Sequence, residues 1–144
     1  MLYRHTQHGV TIVSLSLAAI ALNLALIWRI GQWMPAGIML IVLIAITILF
    51  SSLTVEISDN ELRWSFGPGF WTYRLPLEDI ETVAIVRNHW QNGFGIRMRP
   101  GFRLYNVSGL DAVELRLKSH DIRRIGTDDP QGLAAALKAL PRQG

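Results

Sequence analysis

Cysteine is absent from this chain. That excludes a disulfide framework, a thiol nucleophile and any Cys-ligated metal site. Acidic residues are missing from everything before Glu56, where Arg4 and Arg29 are the only fixed charges. Over the full 144 residues only 17% are charged while 50% are hydrophobic, a balance unusual for a soluble chain of this length. The formal net charge of +3 is too weak to imply a nucleic-acid partner, and none is expected. The scarcity of charge is confined to one end, so two different materials share the chain.

The first material is apolar. From Val10 to Leu53 the sequence is broken only at Arg29–Gly37. The stretch VTIVSLSLAAIALNLALIWRI, residues 10–30, exceeds the roughly 20 residues that an α-helix needs to cross the hydrocarbon core. Ser14, Ser16 and Asn23 are tolerable there, because small and polar residues face neighbouring helices. Arg29 ends the stretch, where its long side chain reaches the headgroups. A second apolar stretch, about 36–53, carries no charge. Trp28 and Trp33 flank the turn as interfacial aromatics would, and Gly31 and Pro35 supply the break. A cleaved signal peptide is the rival reading of residues 10–30. Its apolar core would be too long, and no A-x-A site follows. The expectation is a transmembrane helical hairpin over residues 1–53, both termini inside, with a folded module over 54–144.

The second material alternates. Leu53, Val55 and Ile57 face one way and Thr54, Glu56 and Ser58 the other, the period of a half-buried strand. Asp59–Asn60 reads as a tight turn into Leu62, Trp64 and Phe66, and Gly67–Pro68–Gly69 as another into Tyr73 and Leu75. A short turn at Leu77–Asp79 precedes a strand through Val83 and Ile85. Gly93 and Gly95 bracket a break before Ile96–Arg99, and Pro100–Gly101 turns the chain into Phe102–Val107. Ala112–Lys118 alternates cleanly, and Ile122–Gly126 is an irregular last strand with a bulge. Thr127–Asp128–Asp129–Pro130 then opens a helix over about 130–140: Asp128 and Asp129 supply an acidic N-cap, Pro130 fits the first turn, and Pro141 stops it. Many short strands and one closing helix predict an α+β, mainly β, small barrel capped by its C-terminal helix.

The segments LPLEDIETV, GFGIR, RLYNVSGLDAVELRLK and RIGTDDPQGLAAAL together resemble the bacterial PH-like (pleckstrin-homology-like) domain that follows paired membrane helices. The resemblance spans about Leu53 to Leu140, and RIGTDDPQGL is its most specific part. It implies a PH-like barrel, a bacterial inner-membrane protein with a cytoplasmic module, and no catalytic residues. Phosphoinositide recognition does not carry over. The phosphate-binding basic motif of eukaryotic PH domains sits around the first hairpin, where this chain has the acidic turn Ser58–Asp59–Asn60–Glu61.

The residues give no catalytic, cofactor-binding or metal-binding set. His5 and His8 precede the apolar stretch, His89 and His120 stand alone, and no metal-ligand spacing occurs. Ser108 lacks the preceding glycine of a nucleophile elbow. One cluster does stand out. No acid lies between Thr82 and Leu110, whereas Arg87, Arg97, Arg99 and Arg103 do, interleaved with Trp90, Phe94, Met98 and Phe102. Arg87, Trp90, Arg97, Arg99 and Arg103 form the candidate surface for anionic lipid or a partner, each cation contributing on the order of 1 kcal/mol near an anionic membrane. The expected function is a membrane-anchored, non-enzymatic module that binds a protein partner or itself. Headgroup binding through Arg87–Arg103 is the alternative.

Overall fold

A computed structural model describes residues 2–58, 60–69, 71–92 and 95–140. Asp59 of the first turn, Gly93 and Phe94 of the break before Ile96, and the helix stop at Pro141 lie outside these residues.

The chain order is strand β1 (Tyr3–His8), helices α1 (Val10–Ile30) and α2 (Trp33–Leu49), then strands β2 (Ser52–Ser58), β3 (Glu61–Phe66), β4 (Trp71–Pro76), β5 (Ile80–Arg87), β6 (Gly95–Arg99), β7 (Phe102–Asn106), β8 (Asp111–Leu117) and β9 (Ile122–Gly126), and helix α3 (Pro130–Lys138). Short 3-10 turns sit at Leu77–Asp79 and Trp90–Asn92. The fold is α+β, as the alternation indicates, but the strands do not close into a barrel. They form two sheets, ordered β1-β2-β3-β4 and β5-β8-β9-β7-β6. A meander would be wholly antiparallel. Here β7 and β9 run parallel, and β8 lies between β5 and β9.

Residues 3–8 differ most from the sequence reading. Arg4, His5 and Thr6 carry no apolar alternation, yet β1 pairs antiparallel with β2 from Tyr3↔Ile57 to His8↔Ser52. The boundary near residue 53 therefore does not separate hairpin from module. The module includes β1, and the helices are inserted between two paired strands. The second helix also starts earlier and ends earlier than 36–53. Pro35 lies inside its first turn, where the missing N–H costs no helical bond, and Ser52–Leu53 already belong to β2. The irregular register falls in β5, between Ile80 and Thr82, whereas β9 pairs regularly.

The core lies between the sheets and under α3. Leu53, Val55, Ile57, Leu62, Trp64 and Phe66 come from the first sheet, Tyr105, Val113, Leu115 and Ile125 from the second. Leu133, Ala134 and Leu137 project from α3, which packs on β5 and β8. Trp64 stacks on Tyr73 with centroids 5.8 Å apart and meets Tyr105 edge-on at 5.1 Å. These rings join the sheets where no strand pairing does.

Candidate functional site

The junction of helices and sheet is built from side chains that leave little play. Beyond the His8↔Ser52 rung, the Gly9 N–H donates to the Ser51 carbonyl at 2.7 Å, so the ladder continues up to the helix starts. A Cβ on Gly9 would sit 2.1 Å from the Phe50 carbonyl oxygen, so this approach needs glycine. The Thr11 and Ser108 hydroxyls are 2.9 Å apart, and the Gln7 side-chain amide donates to the Ser108 carbonyl at 2.9 Å. Ser108 thus ties the first turn of α1 to the module. Phe50 packs edge-on against Phe66 at 5.3 Å and Trp71 at 6.3 Å. An apolar notch of about 400 Å³ opens beside this joint, lined by Ile12, Leu15, Ser16, Ile46, Phe50, Gly95 and Ile96.

Beyond the joint the helices leave the module. Only Ile12 and Ser16 of α1 are buried, and no residue of α2 is. Helix α1 is long and apolar enough to cross a membrane; α2, also apolar, is shorter at 17 residues. At about 1.5 Å per residue they are about 31 and 26 Å long. At the far end Trp28 is 90% exposed and Trp33 71%, and Trp71 is 46% exposed beside Phe50 at the near end. Aromatic rings therefore mark both ends of an exposed apolar column, as they do at membrane interfaces.

The five candidate surface residues do not form one patch. Cross-strand partners share a face. The pairs Arg97↔Leu104, Leu104↔Arg124 and Glu114↔Arg124 run across the outer face of the second sheet, and Arg99↔Phe102, Phe102↔Ile122 and Arg116↔Ile122 form the next row. Arg97 and Arg99 are together there. Arg87, opposite Asp111, and Arg103, opposite Met98, have the other parity and share the face that carries Tyr105 and Val113. Arg103 stands near Tyr73, whose hydroxyl pKa is raised by burial and by Tyr105 and only partly lowered by that guanidinium. Trp90 is 70% exposed on the 3-10 turn just after Asn88.

Sequence reasoning missed Arg116 and Arg124, which lie on the same face as Arg97 and Arg99. The signal was available in the alternation of residues 112–118 and 122–126. Arg124 donates to Glu114 at 2.7 Å and to the buried Asn88 side chain at 3.3 Å, and lies over the Phe102 ring at 5.2 Å. Arg99 lies over the same ring at 5.5 Å. This face is basic with aromatic content, though Arg124 is committed to holding the 88–92 segment down.

The acidic helix start divides its two roles. Asp129 is the N-cap, accepting the Gly132 N–H at 3.1 Å, whereas Asp128 pairs with His5. Tyr3 donates its hydroxyl to Asp129 at 3.0 Å. Burial, and then the carboxylates of Asp129 and Asp128, push the Tyr3 phenol pKa well above its ordinary value. A single strand, β1, thereby fastens the α3 start to the first sheet. Among the described residues no group of three or more His, Asp or Glu side chains comes together to hold a metal ion. Comparisons of the chain with protein-family models, with curated proteins and with solved structures give no match.

Proposed function

We propose that the chain is a membrane-anchored, non-enzymatic interaction module. On this reading α1 and α2 form a hairpin in a bacterial inner membrane, and a PH-like domain stands on its cytoplasmic side to bind a protein partner or a second copy. The observation that carries it is the column of exposed apolar side chains on α1 and α2, ringed at both ends by Trp28, Trp33 and Trp71. Exposed apolar surface on this scale is stable in lipid and a liability in water. The hydrogen-bonded joint at Gly9, Thr11 and Ser108 gives the anchor a second property. It fixes the orientation of the module, and tethering raises its effective concentration toward other membrane-bound chains. Two sheets closed by a C-terminal helix support the PH-like reading, and the parallel β7–β9 pair is its main departure.

Headgroup binding through the basic region has a narrower basis, the pair Arg97 and Arg99 on one face with Arg116. Its test is flotation of the full chain lacking residues 10–50, with Asn-Gly joining Gly9 to Ser51, on anionic and neutral liposomes. Binding that fades with salt and in Arg97→Ala/Arg99→Ala would favour it.

The test of the leading reading compares that shortened chain with the intact one. The intact chain is expected to resist alkaline extraction from membranes and to give cross-linked adducts there; the shortened chain is expected to be soluble and folded. An intact chain that purifies from the aqueous fraction as a folded monomer would refute the anchor.

A further inference from the structure

On the membrane reading proposed above, Asn23 is a polar side chain carried into the bilayer. Asn23 lies thirteen residues into α1, a position about 20 Å along a 31 Å helix and so well inside the hydrocarbon. On α1 the less exposed residues beyond the joint are Ala19, Ile20, Asn23 and Ile27, in line with the buried Ile12 and Ser16; on α2, before the joint at Leu49, they are Ala36, Gly37, Leu40, Leu43 and Thr47. Both series have helical spacing, and the two helices pack on each other along these stripes. The carboxamide of Asn23 therefore sits on the seam of the hairpin.

Its Oδ1 is buried and has no hydrogen-bond partner among the described residues, while the residue as a whole stays partly exposed at the rim of the seam, where a change of side-chain rotamer turns the carboxamide outward. The sequence explains why. From Leu17 to Ile27 no other α1 side chain carries a hydrogen-bond donor, and from Met34 to Ile46 no α2 side chain does. The hydroxyl of Thr47 is taken by the Leu43 carbonyl at 2.7 Å. Backbone N–H groups at this depth are spent within the helices, and acyl chains offer nothing. An unpaired amide in hydrocarbon is costly, so a donor must come from another helix at the same depth.

A carboxamide is both donor and acceptor, and under two-fold symmetry the same residue of a second copy arrives at the same depth. We propose that the chain associates with itself in the bilayer, the Asn23 side chains of two copies pairing at the centre of a four-helix seam. Interhelical amide pairs of this kind supply specificity and modest affinity in lipid.

The absence of cysteine makes the test direct. The full chain, carrying one cysteine in the module at Ser119 and labelled with donor or acceptor dye, is reconstituted in liposomes at falling protein-to-lipid ratio. Energy transfer should report association that Asn23→Leu weakens by about ten-fold and Asn23→Gln largely restores. Unlabelled Ala19→Cys should form a disulfide between copies, and Ala21→Cys, on the opposite side of α1, should not. Equal association of the Asn23→Leu chain, a monomeric unmodified chain at all densities, or cross-linking through Ala21→Cys alone would overturn the proposal while the chain stays in the membrane. Extraction of the unmodified chain by alkaline carbonate is a separate result: it would remove the membrane reading itself, and the proposal with it.

Discussion

Helices α1 and α2 and the inter-sheet core are made from the same kinds of residue and treat them in opposite ways. Leu22, Leu24 and Ile41 are 63, 50 and 69% exposed, whereas Leu62, Phe66 and Leu115 are fully buried. The module has partners for its apolar surface because alternation turns one face of each strand toward the other sheet. The hairpin has none, since each helix is apolar on all sides and only one stripe can meet the other helix. The difference teaches that apolar content alone does not specify a core. What specifies one is apolar surface with a polar reverse, and where the reverse is missing the surface stays exposed, as it does on α1 and α2.

Truncating a side chain on each side of this divide is the strongest way to break the comparison. Phe66→Ala should cost about 3–5 kcal/mol of module stability, because a fully buried ring leaves a cavity between the sheets. Leu22→Ala should leave module unfolding unchanged, as that side chain is exposed and, on the membrane reading, would touch lipid in either state. Urea unfolding in mild micelles, followed by near-ultraviolet circular dichroism, compares the two. Equal losses would mean that hairpin and module are one cooperative core. Gly9→Ala probes the joint between them. The added Cβ would meet the Phe50 carbonyl at 2.1 Å, so the strand end or the helix must shift, at a cost of about 1–3 kcal/mol. Its sharper signature is loss of the Thr11–Ser108 contact, read as faster amide exchange at the start of α1.

Much of this division was legible beforehand. The helix over about Val10–Ile30 was readable because a long, largely apolar run ends at Arg29 and Gly31, and β2, β3 and β8 because every second residue is apolar. Residues 3–8 could not be read. With Arg4, His5, Thr6, Gln7 and His8 in sequence, the strand gains its place from edge pairing with β2 and from Tyr3 and Gln7 bonds to distant loops. No local pattern encodes those. The basic face was half legible for a similar reason. Alternation puts Arg97 with Arg99 and the Ile122–Gly126 alternation marks Arg124, the β6–β7 register sends Arg103 to the other side, and only the parallel pairing of β7 with β9 brings Arg124 alongside Leu104. The barrel failed on the same connection, because turn spacing shows which strands follow one another and not which pair.

The smallest expected effects concern β1 and show how firmly it belongs to the module. Asp129→Ala should cost about 1 kcal/mol through the lost cap on α3, and also deprives the Tyr3 hydroxyl of its acceptor. Tyr3→Phe isolates that second contact, at a loss of about 1 kcal/mol near neutral pH. Its pH dependence is the more informative quantity. The folded state raises the Tyr3 pKa, so it holds the phenolic proton more tightly than the unfolded chain does. That contribution is complete below the ordinary tyrosine pKa and declines as the unfolded chain ionises above it. Tyr73 is shifted in the same direction, so the whole chain loses stability at alkaline pH whichever residue is responsible. Subtracting the Tyr3→Phe profile from that of the unmodified chain removes the shared part. The gap between their urea midpoints should be constant from pH 7 to about 9 and narrow toward pH 11, since phenylalanine has no proton to lose. A gap that stays level across the whole range would mean that the Tyr3 hydroxyl is not held against Asp129, and that β1 is fastened by its backbone ladder alone.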